Sequence, residues 1–172
     1  LLQDFSVLVA SAIANLEFHA RTARTMRLTH YYQKVSKSLE ADAVREATRV
    51  AIREALQCEH VIYYWADPIT RQILFLEGPE PLKFSWGTSL VGVVADTLKA
   101  RTLTKAHRDP FFDRRVDLMM GFKTKSVLCV PVCDGDGHLI AVMQCSNKKD
   151  GPFDHDDAHF ATVLGTQAGI ML

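Results

Sequence analysis

Two histidines spaced i, i+4, in the run His155-Asp156-Asp157-Ala158-His159, could share a metal if the run is helical. The run superficially resembles the H-E-x-x-H zinc motif, in which a Glu acts as base beside two ligands. Asp156 is a methylene shorter than that Glu, and no third ligand stands out downstream, so the pair reads as exposed histidines on a capped helix. The run Asp134-Gly135-Asp136-Gly137 resembles half a calcium loop. It lacks the remaining spaced carboxylates and the closing Glu, and reads as a plain turn. Four cysteines, Cys58, Cys129, Cys133 and Cys145, form no C-x-x-C pair, and three lie in apolar runs. They read as reduced core thiols of a cytoplasmic protein. No G-x-S-x-G, P-loop or G-x-G-x-x-G occurs, and no Ser or Cys carries a local signature of activation. The chemistry-bearing residues therefore argue against an enzyme.

The whole-chain properties agree. A chain of 172 residues fits one domain, or one domain with an appended helix. With 48% apolar residues it can bury a core without metal or disulfide. Lys+Arg and Asp+Glu balance at 20 each, which speaks against a nucleic-acid surface and an anionic-membrane anchor. No apolar run approaches the roughly 20 residues that span a bilayer. The opening LLQDFSVLVASAIANLEF is too polar and periodic for a secretory signal.

Residues 1–37 hold no Gly or Pro and read as one long connecting helix. Phe5, Val9, Ala12, Leu16, His19, Ala23, Met26 and His30 follow a four-three spacing, a narrow stripe suited to a two-helix homodimer seam. Arg21, Arg24 and Arg27 recur on another face, which reads as solvated. LLQDFSVLVASAI (1–13) lies faintly over FATVLGTQAGIML (160–172), which reads as the closing helix of an earlier repeat of the same kind.

Residues 38–172 read as the domain proper. A helix is expected from about Asp42 to Gln57, then strands CEHVIYYWAD (58–67) and RQILFLEG (71–78). A short apolar stretch spans Leu82 to Trp86. SLVGVVADTLKA (89–100) looks helical and TLTKA (102–106) extended. A long charged loop follows, with one helical turn near Val116 to Met120, and long loops in compact domains are usually functional. SVLCVPVCDGDGHLIAVMQCSNK reads as a hairpin, and Asp154 is set to cap a final helix with Asp156 and Asp157 in its first turn.

GTSLVGVVADTLKARTL (87–103), followed by DPFFDRRVDLMMGFKTKSVLCVPVCDGDGHLIAVMQCSNKKDGPFDHDDAHFATVL (109–164), resembles the GAF domains of cyclic-nucleotide phosphodiesterases and related adenylyl cyclases. The likeness lies in the order and spacing of a DP-F element, a VD-x-x-x-GF-x-T-x-S loop, an LC-x-PV strand, a GVMQ-like strand and an Asn-Lys…Phe…Asp signature. It implies an α+β fold: a central antiparallel sheet of about six strands, terminal helices on one face and a ligand pocket on the other. It implies cyclic AMP or cyclic GMP as allosteric ligand, with no other cofactor, and neighbouring GAF and phosphodiesterase or cyclase domains in the same chain. By similarity, Leu90 and Val91 lie where a helix N-terminus meets the phosphate, and Asp117, Thr124 and Gln144 fall on pocket positions. Asn147, Lys148, Phe153 and Asp157 match the signature, whose Lys–Asp pair is expected to brace the pocket lid rather than touch ligand.

The chain also departs from the binding members. Met120 stands where they commonly carry Thr, Leu76 (followed by Glu77) where an aromatic flanks the base, Ile62 in place of a small polar residue, and Ala158 in place of the final Glu. Each swap removes a hydrogen-bond partner or a stacking face, worth ~1 kcal/mol in a buried site. Two readings stand side by side: a cyclic-nucleotide sensor, and a non-binding module for dimerisation and relay. A bilin sensor would need a cysteine in the loop from His107 to Lys125, which has none.

Overall fold

The computed structural model describes residues 41–171. The readings on the connecting helix 1–37, its dimer seam and the repeat at its start lie outside the described residues. The chain runs α1 (Ala41–Leu56), β1 (Cys58–Asp67), β2 (Gln72–Phe75), β3 (Leu82–Ser85), α2 (Leu90–Thr97), β4 (Arg101–Leu103), a 3-10 turn (Ala106–Arg108), α3 (Arg115–Met120), β5 (Val127–Cys133), β6 (Leu139–Lys148) and α4 (His155–Met171). The strands form one six-stranded sheet in the order β3-β2-β1-β6-β5-β4, and every neighbouring pair is antiparallel.

Alternation along the central strands sorts their side chains between two cores. Val61 and Tyr63 of β1, Leu128 and Val130 of β5, and Met143 and Cys145 of β6 face one side, where Ile52, Phe160 and Leu164 of α1 and α4 cover them. Ile62, Tyr64, Cys129 and Val142 face the other, under Leu90, Val91 and Val94 of α2. Register enforces the match: Tyr63 pairs with Met143, Leu128 with Cys145, and Ile62 with Gln144. Both faces of β1, β5 and β6 are covered, so these strands read as nearly continuous apolar runs. Among the described residues no helix is long and apolar enough to cross a membrane.

Four elements differ from the sequence expectation, one of them β4, which runs Arg101–Leu103 rather than 102–106 and gives way to the 3-10 turn at Ala106. The second strand stops at Phe75, because Leu76 turns outward at 52% exposure and the carboxylate of Glu77 pairs with Arg49 of α1. Leu82–Ser85, apolar but unassigned from sequence, is the edge strand β3. The helix expected to reach residue 100 ends at Thr97, where Leu98 adopts a left-handed backbone and its N–H caps Val94.

The β5–β6 turn explains the Asp-Gly-Asp-Gly run. Asp134 Oδ1 accepts the N–H groups of Asp136 (2.9 Å) and His138 (2.8 Å), and Gly137 takes the positive φ of 84° that the turn requires. Asp154 caps α4 as expected. Its Oδ1 accepts from Asp157 N (2.8 Å), while Asp157 Oδ2 accepts from Asp154 N (2.9 Å), a reciprocal capping box. His155 and His159 are exposed on that helix.

Candidate ligand pocket

The N-terminus of α2 is set against the sheet by its own sequence. Ser89 is the N-cap, its Oγ accepting from Gly92 N at 3.2 Å, and no acidic residue occupies the first turn. Gly92 lets this turn sit on the end of β3: a Cβ there would lie 2.3 Å from the carbonyl oxygen of Ser85. A backbone carbonyl cannot step aside as a side chain can. Gly92→Ala should therefore destabilise the domain by about 2 kcal/mol in urea unfolding, as overpacking does. An unchanged midpoint would show that α2 can shift freely.

Beneath this turn, Leu90, Val91 and Gln144 come together with Tyr64, Phe84 and Phe112 around one enclosed space. Three of the five pocket residues expected from sequence thus share a site. Gln144 is only 4% exposed. Its Nε2 donates to Ser146 Oγ at 3.2 Å, and its Oε1 accepts a long contact from Cys129 Sγ at 3.8 Å. An amide has two N–H groups and two lone pairs, so it keeps capacity toward the cavity. Burial pushes the Cys129 thiol and the Tyr64 phenol well above their ordinary pKa values, so both stay protonated and neutral.

Asp117 and Thr124 are placed differently. Asp117 is 5% exposed, and its carboxylate accepts from Thr124 N and Thr124 Oγ1, both at 2.7 Å. His107 Nε2 stands 3.4 Å from the same carboxylate. Two of the three polar residues expected at pocket positions are thus bonded to each other, where they close the loop between α3 and β5. The same loop is also tied by Ala106 N to Lys125 O (2.8 Å) and by the stack of Phe122 on His60, with ring centres 4.2 Å apart.

The signature residues also have separable roles. Asn147 holds the loop: its Oδ1 accepts from Lys125 N (2.7 Å), and its Nδ2 donates to Lys123 O (2.9 Å) and Glu59 Oε2 (2.6 Å). Lys148 pairs with Asp157 of α4, and Phe153 is buried in the helix-side core. Bracing of the lid therefore belongs to Asn147, while the Lys148–Asp157 pair ties the sheet to α4 on the opposite face.

The departures noted in the sequence sort in the same way. Ile62 is packed in the pocket-side core and Ala158 against the helix-side core, whereas Leu76 and Met120 (42% exposed) point outward. Leu76 therefore does not stand in for an aromatic beside a base in this conformation.

The enclosed space itself amounts to about 10 Å³. That accommodates roughly one water molecule, whereas small-molecule sites run to about 300 Å³ or more. Sequence reasoning missed what fills it. Phe112 and Asp113 line the cavity, and the carbonyl of Phe111 accepts the N–H of Leu90 at 2.7 Å. The DP-F element was visible as a motif, but nothing in its residue types marked a backbone carbonyl as the cap of a helix.

A family model described as GAF domain matches residues 40–172. The cGMP-specific 3',5'-cyclic phosphodiesterase of Drosophila melanogaster is 33% identical over 91 residues, 53% of this chain but 8% of that protein. The Drosophila virilis phosphodiesterase of the same description is 33% identical over 78 residues, 45% of this chain and 9% of its own. The chain thus spans under a tenth of these relatives. Among solved structures, the GAF domain of a phosphoenolpyruvate-protein phosphotransferase from Coxiella burnetii superposes with a TM-score of 0.72 at 18% identity, covering 85% of this chain and 90% of that one. The free methionine-R-sulfoxide reductase of Neisseria meningitidis, in complex with its substrate, superposes at 0.70 with 18% identity, covering 86% and 87%. At that identity these likenesses establish the fold alone.

Proposed function

The chain belongs to the GAF domain family, and from that premise we propose that this regulatory domain senses cyclic AMP or cyclic GMP and relays the signal to a linked cyclic-nucleotide phosphodiesterase or cyclase domain. The observation that carries this reading is Gln144, a buried amide with spare hydrogen-bonding capacity beside the N-terminus of α2. A helix N-terminus suits a phosphate monoanion, and an amide can donate to one purine edge or accept from another. The likeness to the phosphodiesterases supports the ligand class. The relay half rests on residues 1–37, whose four-three stripe suits a two-helix seam between copies.

One specific observation favours the second reading, a non-binding module for dimerisation and relay. The cavity leaves only about 10 Å³ free, and Asp117 and Thr124 are committed to each other. A sensor with this resting state must open its loop to bind, which lowers the apparent affinity by the fraction of molecules that are open. Titration calorimetry with both cyclic nucleotides separates the two. A sensor gives binding heat and a melting temperature that rises with ligand, by the mass-action term that reaches about 2.7 kcal/mol at a hundredfold excess over Kd. A silent titration together with an unmoved melting temperature at millimolar ligand would establish the relay module instead.

A further inference from the structure

The segment between the 3-10 turn and α3 brings a backbone carbonyl, an aromatic ring and a carboxylate to the site. Phe111 O takes the Leu90 N–H that begins α2. Phe112 and Asp113 line the same space as Ser89, Leu90 and Val91. Asp113 is ionised. Burial pushes its carboxyl up, but hydrogen bonds from Arg115 outweigh that and leave it below the usual carboxylate range. Arg115 grips it with Nε (3.0 and 3.1 Å) and Nη2 (2.8 Å). The same guanidinium reaches Lys83 O at 3.3 Å and lies 4.7 Å from the centre of the Phe84 ring, which lines the cavity. One arginine thus latches the loop to β3 while holding the acid that faces the site.

Resting on the reading that the pocket takes a ligand with an anionic phosphate, we infer that Asp113 is a built-in competitor for that phosphate and sets the site's preference against anions. A phosphate arriving at α2 must displace the Phe111 carbonyl from Leu90 and meet the Asp113 carboxylate. Two like charges brought into one partly buried site repel. Binding becomes favourable only when Arg115 exchanges Asp113 for the ligand, so the pair acts as a latch that the ligand's own charge opens. Asp113 also accepts Arg115 N at 2.9 Å, and Asn keeps that acceptor, so Asp113→Asn removes the charge with little loss of local structure.

The test uses the whole chain and three measurements on wild type and Asp113→Asn. Amide hydrogen exchange reads the plug without any ligand: Leu90 should exchange about fivefold faster in the variant, with Val94 in the same helix unchanged. Inorganic phosphate, followed at the Leu90 amide by NMR, should saturate at about tenfold lower concentration in the variant, a change of about 1.4 kcal/mol. Cyclic AMP or cyclic GMP should gain about as much, while adenosine and guanosine gain nothing, since they lack the charge that Asp113 repels. Adding Arg115→Gln to the variant should abolish the gain. Equal phosphate midpoints would overturn the inference, and so would an equal gain for nucleosides, which would mean that the loop merely loosens. If phosphate follows the expectation and no cyclic nucleotide binds either protein, the cyclic-nucleotide reading falls while the role of Asp113 stands.

Discussion

Asp157→Asn should lower the melting temperature by ~10 °C, a loss of about 3 kcal/mol. The Lys148 and Asp157 side chains are 15% and 8% exposed, so the ammonium has little water to fall back on. Asn keeps the shape of Asp157 and can still accept from Asp154 N, which preserves the reciprocal cap at the start of α4. What it cannot do is neutralise Lys148. Breaking a buried pair from one side is costly because the remaining charge is stranded, whereas replacing both partners is often nearly neutral. Lys148→Met combined with Asp157→Asn should therefore recover most of the lost stability. Calorimetric melts of the two variants decide it: a single variant that melts with the wild type, or a double variant worse than the single, would show that the pair is solvated in solution.

The elements legible in the sequence are those whose pattern is local. CEHVIYYWAD announced β1 through its β-branched and aromatic run, and the strand spans Cys58–Asp67. Asp154 announced the cap of α4, and the Gly-containing turn announced the β5–β6 hairpin. The four-residue strand β3 was not legible, because Leu82 to Ser85 is too short for alternation to show and is extended by its pairing with β2. Leu90, Val91 and Gln144, which the resemblance placed at pocket positions, do line one cavity, because a helix and a central strand set where they sit. The site was not legible in the loop. Asp117 and Thr124 are polar residues with several possible partners, and only the tertiary structure shows that they choose each other. The plug at Leu90 is a backbone carbonyl, which every residue carries, so no residue type could betray it.

The other large effect is expected at Asn147, where β6 meets the loop between α3 and β5. This residue has φ of 60°, a left-handed conformation that Asn tolerates better than most non-glycine residues. The kink breaks the alternation of β6. Gln144 and Ser146 lie on the even positions that face the pocket, as Val142 does, yet Lys148 reaches Asp157 on the helix side. The Asn147 side chain fixes Lys123, Lys125 and Glu59 at the same point, and its N–H donates to Ser126 O at 2.9 Å. Asn147→Ala should cost about 4 kcal/mol, from three lost side-chain hydrogen bonds near 1 kcal/mol each and about 1 kcal/mol of left-handed strain. Asn147→Gly loses the same hydrogen bonds but adopts the kink without that strain, and should unfold about 1 kcal/mol later than the Ala variant in urea. Equal midpoints for Ala and Gly would mean that the left-handed kink does not constrain residue 147 in solution. In both variants the Lys125 amide loses its side-chain acceptor, so its hydrogen exchange should rise sharply while that of Met143, in the middle of β6, follows global stability alone. That difference between neighbouring sites is the signature of a loop clamp, and a uniform loss of protection along β6 would assign Asn147 to the core instead.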